Sequence, residues 1–436
     1  MTKYISISIS VLQAGIISLT AASKPNIVLI MADDMGYECL GANGSTFYET
    51  PNLNRLAAQG MRFEHAYSQP VCTPSRVQIM TGRYNPRNYT GFAALNPNEI
   101  TFGNVLQDAG YKTCIAGKWQ LEGGLEGPRN FGFDEYCLWQ LTRRPSRYAD
   151  PGLEINGEEM DFPGKYGPDV VTDYIVDFIG KDRKEPFFVY YPMLLPHFPF
   201  HQTPDGKKWN KQETDLDLKT YYFRDMVAYA DKMVGKIEQS LVDAGVRENT
   251  LLIFTCDNGT DKHITSPFNG KSLKGGKGTT PNAGTHVPFV AHWPGTIKPE
   301  QVSHELIDFS DLLPTFSELG GAQVPTDRVI DGRSFLPILR GEPGTPREWI
   351  YCWYQRDGKR NGSAKVYARN KTYKLYADGA FYDVPADELE KRPLTPEKID
   401  SHARKIRGEL EKVIGDIDQS ASRSFTYDLG TTTGKR

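Results

Sequence analysis

Residues 26–34 read N-I-V-L-I-M-A-D-D and give the strongest indication of the fold class. Their aliphatic part shows no alternation of apolar and polar residues, which is typical of a strand covered on both faces in a parallel sheet. Two later stretches have the same character, at residues 186–192 (P-F-F-V-Y-Y-P) and 250–256 (T-L-L-I-F-T-C). These three runs predict the buried strands of a largely parallel sheet.

Helix patterns lie between these runs. End signals or apolar residues spaced at i, i+3, i+4 and i+7 predict helices over residues 50–60, 101–110 and about 222–244. Strands that alternate with helices are typical of an α/β fold. We therefore expect a largely parallel central sheet sandwiched by helices.

The character of the sequence changes near Phe335. Short aromatic runs separated by turn residues predict antiparallel strands over residues 349–354, 364–368, 373–376 and 380–382. A helix pattern follows over residues 395–417. We interpret residues 24–334 as a catalytic domain and residues 335–436 as a smaller C-terminal subdomain with an antiparallel sheet and a helix.

The composition excludes several classes of protein. Among 436 residues, 51 basic and 54 acidic side chains leave a net charge of −3, which gives no global field for nucleic acid. Six cysteines are too few for a disulfide scaffold in a chain of this length. No stretch is long and apolar enough to read as a membrane span. We expect an enzyme with neither a nucleic-acid partner nor a membrane span.

The N-terminal residues have a pattern of their own. Lys3 supplies a positive charge, residues 5–19 alternate apolar residues with serine, and Thr20, Ala21 and Ala22 offer small residues for cleavage. This pattern indicates a signal peptide over residues 1–23, with a disordered N-terminus as the alternative. We therefore expect the mature protein to be secreted or periplasmic.

Polar residues follow each of the three predicted strands. Asp33 and Asp34 come after the first, His197 after the second, and Asp257 and Asn258 after the third. Ligands of open α/β sheets bind at the carboxyl ends of the strands, and carboxylate and amide oxygens suit Ca²⁺ or Mg²⁺ better than Zn²⁺. Helix caps or turn residues are the plainer explanation of these aspartates. Two adjacent carboxylates repel each other unless a cation compensates, which favours the metal interpretation.

The sharpest local motif is C-T-P-S-R at residues 72–76. Pro74 suits the first turn of a helix, so Cys72 would lie at a helix N-terminus, where backbone N–H groups and the helix dipole stabilise an anion. A thiolate nucleophile is one interpretation of such a position. A buried cysteine in front of a helix is the other.

Taken together, the motifs resemble those of the formylglycine-dependent type I sulfatases of the alkaline-phosphatase-like superfamily. The resemblance covers nearly the whole chain from Lys24. The matching motifs occur in the order of the family: K-P-N-I-V-L-I-M-A-D-D-M-G-Y (24–37), T-P-N-L-N-R-L-A-A-Q-G (50–60), C-T-P-S-R (72–76), T-G-R (81–83), A-G-K-W (116–119), P-H-F-P (196–199), D-N-G (257–259), K-G-G-K-G-T-T (274–280) and H-V-P-F-V-A-H-W-P-G (286–295).

The resemblance implies a specific chemistry. A separate formylglycine-generating maturation enzyme would oxidise Cys72 to Cα-formylglycine, an aldehyde whose hydrate is a geminal diol. One hydroxyl would attack the sulfur of a sulfate ester and form a covalent sulfated intermediate. Loss of the proton from the second hydroxyl would then expel sulfate. A serine has no second hydroxyl and lacks this step.

The resemblance also assigns roles to individual residues. A divalent cation, Ca²⁺ in preference to Mg²⁺, would be held by an oxygen of the residue made from Cys72 and by four further residues: Asp33, Asp34, Asp257 and Asn258. Arg76 would orient the diol. Lys118 and Lys277 would bind the sulfate oxygens, and His197 would protonate the leaving alcohol.

The chain departs from the family pattern at two places. Gln120 occupies the position of a histidine that usually takes the diol proton, and an amide lacks that ability. His286 stands in a segment where the family has a glutamate, two glycines and an arginine. We expect both residues to contact the substrate, and another base to serve sulfate release. The bases considered are His201, His263 and His286.

The assignment of Lys277 as a sulfate-binding lysine has two alternatives. Lys271 and Lys274 are close to Lys277 in sequence, so either of them is a candidate for the same role.

The substrate class follows from the region around residues 125–166, which has no strong periodicity and is interpreted as a substrate-binding insertion. Aromatic and basic residues there or nearby would suit a polyanionic sugar chain: Trp119, Trp139, Tyr148, Arg143, Arg144 and Arg147. An ordinary surface loop is the alternative. We expect hydrolysis of sulfate esters in a sulfated polysaccharide or its oligosaccharides. A phosphate or phosphonate monoesterase, or a non-catalytic module that binds sulfated glycans, are the competing functions.

Overall fold

The structure, a computed structural model, describes residues 24–206 and 220–430. Its strands are, in chain order, β1 Asn26–Ala32, β2 Met61–Tyr67, β3 Lys112–Lys118, β4 Glu135–Trp139, β5 Gly152–Ile155, β6 Glu158–Asp161, β7 Phe187–Pro192, β8 Thr250–Cys256, β9 Thr265–Phe268, β10 Lys271–Lys274, β11 Phe289–His292, β12 Gln301–Asp308, β13 Ile350–Tyr354, β14 Lys365–Arg369, β15 Tyr373–Tyr376 and β16 Phe381–Asp383. Its helices are α1 Pro51–Gln59, α2 Cys72–Thr81, α3 Asn85–Asn88, α4 Phe102–Asp108, α5 Gly127–Asn130, α6 Gly167–Ile179, α7 Tyr222–Asp243, α8 Asn282–Thr285, α9 Leu312–Gly320, α10 Leu336–Arg340 and α11 Ser401–Gly430. The predicted signal peptide lies outside the described residues.

A ten-stranded sheet forms the centre of the fold, in the order β12-β2-β11-β8-β1-β7-β3-β4-β5-β6. Its five middle strands, from β8 to β4, are parallel to one another. The three strands predicted from apolar runs are β1, β7 and β8, and every residue in them is buried. Side chains on both faces of such strands must be apolar because helices cover the sheet on both sides. The predicted α/β fold with a largely parallel central sheet is confirmed.

Two groups of helices pack around this sheet. Helix α7 contacts α1 and α6, and helix α9 contacts α2 and α4. The three helices predicted from the sequence correspond to α1, α4 and α7, with ends that differ by one or two residues.

The region that we interpreted as a substrate-binding insertion extends the central sheet. Strand β4 pairs in parallel with β3, and β5 and β6 add two antiparallel strands at the edge. These strands have four or five residues each, and β6 is exposed throughout, so no apolar periodicity marks them in the sequence. The longest irregular segment of this region is residues 140–151, between β4 and β5.

The C-terminal part forms a separate four-stranded antiparallel sheet, in the order β13-β14-β15-β16, with α11 packed on β14 and β15. Buried residues of the sheet and helix form a core of their own: Ala368, Leu375, Phe381, Ile399, Ala403, Leu410 and Ile414. This confirms the predicted small sheet and helix, although the helix predicted over residues 395–417 begins at Ser401 and ends at Gly430. Phe335 and Leu336 still pack in the main core, and the domain boundary between residues 334 and 335 stays a prediction.

All six cysteines are buried and free. Cys114 and Cys256 lie inside β3 and β8, as expected for core thiols. In the described part of the chain, no helix has the length and apolar character needed to cross a bilayer.

Gly117 sets how closely β3 approaches β7. Its φ of +129° is in the region that side chains rarely adopt, and a Cβ built on it would lie 1.9 Å from the carbonyl oxygen of Pro192. Because this oxygen belongs to the backbone of β7, it has no freedom to move aside without separating the two strands. Gly117 immediately precedes Lys118, so the spacing between β3 and β7 also fixes the backbone position of Lys118.

We expect Gly117→Ala to lower the free energy of unfolding far more than Gly110→Ala. Gly110 also has a positive φ, +87°, but a Cβ added there would have no atom within 4 Å. The control should therefore lose only the about 1–2 kcal/mol that a left-handed alanine costs, whereas Gly117→Ala adds a backbone clash. Urea unfolding of both variants measures the difference, and equal losses would contradict the close approach of β3 and β7.

Candidate active site

The carboxyl ends of β1 and β8 bring four polar residues together. Ala32 and Cys256, the last residues of the two strands, lie opposite each other in register. The backbone N–H of Asp34 donates to Asp257 Oδ1 at 3.2 Å, and Asn258 Nδ2 donates to Asp34 Oδ1 at 2.8 Å. The whole set is fully buried: Asp33, Asp34, Asp257 and Asn258.

Cations from three other elements face these carboxylates. Lys118, at the end of β3, places Nζ 2.8 Å from Asp33 Oδ2. Lys277 Nζ lies 2.6 Å from Asp34 Oδ2. Arg76, in α2, donates to Asp257 Oδ2 at 3.2 Å and to the Lys118 carbonyl at 3.0 Å. Each carboxylate of the cluster therefore has a cationic partner.

Cys72 is the first residue of α2, which is ten residues long and buried along its whole length. Its Sγ donates to Gln120 Oε1 at 3.1 Å. Gln120 follows the end of β3 in a left-handed conformation with φ of 55°. Arg76 lies one helical turn after Cys72, so α2 places the cysteine and the arginine on the side that faces the strand ends.

His197 completes the cluster from the segment after β7. Its Nδ1 donates to the Phe198 carbonyl, which leaves Nε2 to accept a hydrogen bond from Lys277 Nζ at 3.1 Å. Burial lowers the pKa of His197 well below its usual value. The imidazole is therefore neutral, with Lys277 as the proton donor next to it.

Burial and charge shift the pKa values of the cluster in different directions. Burial raises the pKa of Asp257 to about 7, and the charge of Asp33 acts in the same direction. Burial also raises the pKa of Asp34. Burial works to raise the pKa of Asp33 as well, but the surrounding positive charges lower it below its usual range. Burial alone would lower the pKa of Lys277, yet Asp34 raises it, so the ammonium group stays charged.

The donor set fits a hard divalent cation. Asp33 Oδ1 and Asn258 Oδ1 are buried and have no hydrogen-bond partner within residues 24–206 and 220–430. Asp33, Asp34 and His197 each offer one ligand atom within 4.8 Å of the others. Orphaned buried oxygen atoms are costly unless something binds them. Carboxylate and amide oxygens are the ligands that Ca²⁺ prefers.

His286, which we expected to contact the substrate, does not join this cluster. Its ring stacks between Tyr37 and Tyr67, at centroid distances of 4.0 and 5.0 Å, and its Nε2 contacts the Glu64 carbonyl. Burial lowers its pKa to about 3. The sequence shows only its nearness to Lys277. In the structure, His286 directly follows α8 and forms a β-bridge with Tyr67, which places its side chain in the aromatic packing.

The other residues considered for the site take the following places. His263 pairs with Asp261 and is 42% exposed, and the ring of His201 lies 6.0 Å from that of Tyr148. The β9–β10 hairpin carries Lys271 and Lys274, so Lys277 is the lysine that reaches Asp34. Three aromatic residues expected in a substrate cleft are buried instead, with at most 2% exposure: Trp119, Trp139 and Tyr148.

Arg147 joins the cluster although the motifs do not single it out. Its Nη1 lies 3.7 Å from Asp33 Oδ2, and its guanidinium group lies 3.9 Å from the ring centroid of Trp139. Its position within a run of basic residues is the only sequence signal.

The C-terminal sheet holds the segment that carries Lys277. Lys374 Nζ donates to the Thr280 carbonyl, and Tyr376 donates to Thr280 Oγ1 at 2.9 Å. Arg369 Nη1 donates to Asn282 Oδ1 at 2.6 Å. These three residues lie on β14 and β15, far away in sequence, and no local pattern links them to the site. The small sheet thus fixes residues 280–282 from outside the main core.

A mixed sheet whose parallel strand ends carry buried aspartates, lysines and a helix-start cysteine defines a hydrolase of the alkaline-phosphatase-like fold. The family model described as Sulfatase matches residues 25–322, and the model described as N-sulphoglucosamine sulphohydrolase, C-terminal, matches residues 280–416. The chain therefore belongs to the sulfatase family and is a sulfuric ester hydrolase.

Individual relatives agree with this assignment. The chain is 37% identical to N-acetylgalactosamine-6-sulfatase of Mus musculus, over 75% of this chain and 69% of the relative. It is 33% identical to arylsulfatase A of Bos taurus, over 85% of this chain and 78% of the relative. Among solved structures, it is similar to Ps i-CgsB in complex with k-i-k-neocarrahexaose, with a TM-score of 0.77, 26% identity, and coverage of 94% of this chain and 98% of the other.

The placement of His286 predicts a stability effect without a catalytic one. Folded His286 stays neutral down to about pH 3, whereas the unfolded chain binds its proton near pH 6.5. Stability should therefore be lost as pH falls from 6.5 towards 3, by about 1.4 kcal/mol per pH unit for one proton. In His286→Gln this contribution disappears, so urea unfolding at several pH values should give a flatter profile than for the wild type.

The matched control is His263→Gln at the half-exposed His263, which should change the free energy of unfolding at neutral pH little. A His286→Gln variant that loses sulfatase turnover while keeping its stability would contradict the packing role.

Proposed function

We propose that this enzyme hydrolyses sulfate esters of a sulfated polysaccharide or its oligosaccharides with a Cα-formylglycine made from Cys72. The observation that carries the proposal is the position of Cys72. It is the first residue of a buried helix, 3.1 Å from Gln120, in a pocket with three carboxylates and their cationic partners. A maturation enzyme would supply the oxidation, and export to a secreted or periplasmic location would bring the enzyme to a polymeric substrate.

Cys72 Sγ marks where the oxygens of the oxidised residue would lie. The hydrated aldehyde supplies one hydroxyl for attack on sulfur and a second whose deprotonation allows sulfate to leave. The chain orients this group from two sides. Gln120 Oε1 already accepts a hydrogen bond from the Cys72 side chain, and Arg76 is held rigidly by Asp257 and the Lys118 carbonyl.

Lys118 and Lys277 are placed to bind the sulfate oxygens and to stabilise the charge that develops during transfer. Both lysines already donate hydrogen bonds to carboxylates of the cluster, so their ammonium groups lie in the pocket before a substrate binds. Asp33, Asp34, Asp257 and Asn258 would hold a divalent cation, Ca²⁺ rather than Mg²⁺, which would offset charge on the sulfate and lower the pKa of the attacking hydroxyl.

His197 is placed to protonate the leaving alcohol. Its Nε2 accepts from Lys277, which is protonated because Asp34 raises its pKa. Protonated at Nε2, His197 would donate to the ester oxygen, while Lys277 would stay charged and bind the sulfate oxygens.

The substrate class rests on the relatives. N-acetylgalactosamine-6-sulfatase is named for a sulfated sugar, and the structure of Ps i-CgsB contains a bound neocarrahexaose. The pocket adds Arg147 to the cations around the cluster, as expected for an anionic carbohydrate.

The direct test is Cys72→Ala in protein produced together with a maturation enzyme. Sulfate release from sulfated oligosaccharides, measured beside an aryl sulfate, should fall at least about a thousandfold, because removing a nucleophile costs that much or more. Cys137→Ala, another buried cysteine in β4, is the matched control and should stay active. Mass spectrometry of the peptide around residue 72 should show the aldehyde in the wild type.

Three outcomes would contradict the proposal. Faster cleavage of a matched phosphate ester would indicate a phosphate monoesterase. Sugar binding without turnover, despite full conversion of Cys72, would indicate a binding module. Cleavage of the aryl sulfate alone would contradict the carbohydrate substrate.

Gln120 lacks a basic group, so we propose that a base other than residue 120 takes the diol proton. A general base accelerates a reaction about 10²- to 10⁴-fold. If another residue already acts as the base, a histidine at position 120 adds no further acceleration. Gln120→His should therefore change kcat by less than about threefold. Gln140→His is the matched control, because Gln140 has a similar φ of 62°.

The contradicting result is a gain of about tenfold or more in Gln120→His, combined with full turnover in His201→Gln and His263→Gln. Separate assays of alcohol and sulfate release show which step each variant changes.

A further inference from the structure

The irregular segment between β4 and β5 places one arginine against the carboxylate cluster. Arg147 has a side chain that is nine-tenths buried, with 10% exposure. Its Nη1 is buried and has no hydrogen-bond partner in the described part of the chain. The 3.7 Å to Asp33 Oδ2 is an ion-pair distance but too long for a hydrogen bond. An arginine with an unmet donor in such a pocket is ready to bind an anion.

Arg147 is held in place before any ligand arrives. Its guanidinium group lies 3.9 Å from the ring centroid of Trp139. Trp139 is the last residue of β4 and is paired in register with Lys118. Trp139 Nε1 donates to the Pro145 carbonyl at 3.0 Å, and Tyr148 donates to the Leu194 carbonyl at 2.9 Å. Both ends of the loop that carries the arginine are therefore tied to the site. Such preorganisation reduces the entropy lost on binding.

The other two arginines of the segment differ from Arg147. Arg143 is surrounded by acidic residues of β5 and β6, with Asp161 2.7 Å away and Glu154 at 3.5 Å. Arg144 is exposed. Arg147 is thus the member of this run that the structure directs towards the cluster.

The formal charges of the side chains leave one positive charge, and a bound divalent cation would raise this excess to three, more than a single sulfate ester meets. Three carboxylates (Asp33, Asp34 and Asp257) face four cationic side chains (Arg76, Lys118, Lys277 and Arg147). The first three cations each hydrogen-bond a carboxylate, and Arg147 does not. A bound divalent cation would enlarge the positive excess by two charges, whereas a sulfate ester brings only one negative charge. A ligand with a second anionic group balances the pocket better.

We propose that Arg147 determines substrate specificity by pairing with a second anionic group, a carboxylate or a sulfate, on a sugar that also carries the sulfate to be removed. This inference rests on the proposed function, because it concerns the same pocket. Arg147 binds this group in the ground state, while the lysines bind the sulfate that is transferred.

The test measures binding to the Cys72→Ala enzyme in the presence of Ca²⁺, so that turnover does not interfere. Three probes are compared by calorimetry: N-acetylgalactosamine 6-sulfate, N-acetylgalactosamine 4,6-disulfate, and a disaccharide that links a uronic acid to the monosulfated sugar. At least one dianionic probe should bind about 10- to 100-fold more tightly than the monosulfated sugar. The preferred probe shows whether the second group is a sulfate or a carboxylate.

Adding Arg147→Gln should remove this preference and leave affinity for the monosulfated sugar nearly unchanged. Arg144→Gln, a neighbour in the same loop, should keep the preference. Arg147→Lys should retain part of it, since lysine keeps the charge but lacks the paired donors, and it replaces Arg147→Gln if that variant fails to fold. Unfolding midpoints check that the variants are folded.

Equal loss of affinity for all three probes would overturn the proposal, because Arg147 would then serve the scissile sulfate or Asp33. Absence of any preference in the parent enzyme would overturn it as well. Failure of the proposed function is a separate result, namely no sulfate release by the matured wild type from probes that it binds with the predicted preference.

Discussion

The structure depends on the pairing of three buried carboxylates with three buried or half-buried cations. Asp33, Asp34 and Asp257 sit at the ends of two neighbouring strands, where water is excluded and their mutual repulsion is strong. Each is stabilised by a cation from a different element: β3, the segment after β10, and α2. Loss of one partner would leave an uncompensated charge, so the ion pairs hold the elements together as well as the pocket.

This pairing explains why polar side chains lie inside a helix that is buried along its whole length. Helix α2 carries Cys72 and Arg76 into the core, and the arginine spans from the end of β3 to the end of β8. The helix is therefore positioned by hydrogen bonds at its first turns more than by an apolar face. Its first residue is held in the pocket as a result, against Gln120.

The sequence predicts the parts of the fold and site that depend on local pattern. Runs such as β1 and β8 are recognisable because burial on both faces requires continuous apolar residues, and Asp33 and Asp257 follow directly from the strand ends. Strands β4 to β6 are not predicted from apolar runs because they are short and lie near or at an edge of the sheet. His286 shows the other limit, since nearness in sequence to Lys277 does not reveal that its ring is stacked between two tyrosines.

Because the C-terminal sheet holds residues 280–282 by hydrogen bonds, both sheets contribute to the geometry of the active site. Lys374, Tyr376 and Arg369 touch none of the reacting groups, yet they shape the backbone a few residues after Lys277. Sequence drift in the small sheet can thus retune the pocket while every residue in it stays the same. A comparison of relatives restricted to their pockets would overlook changes of this kind.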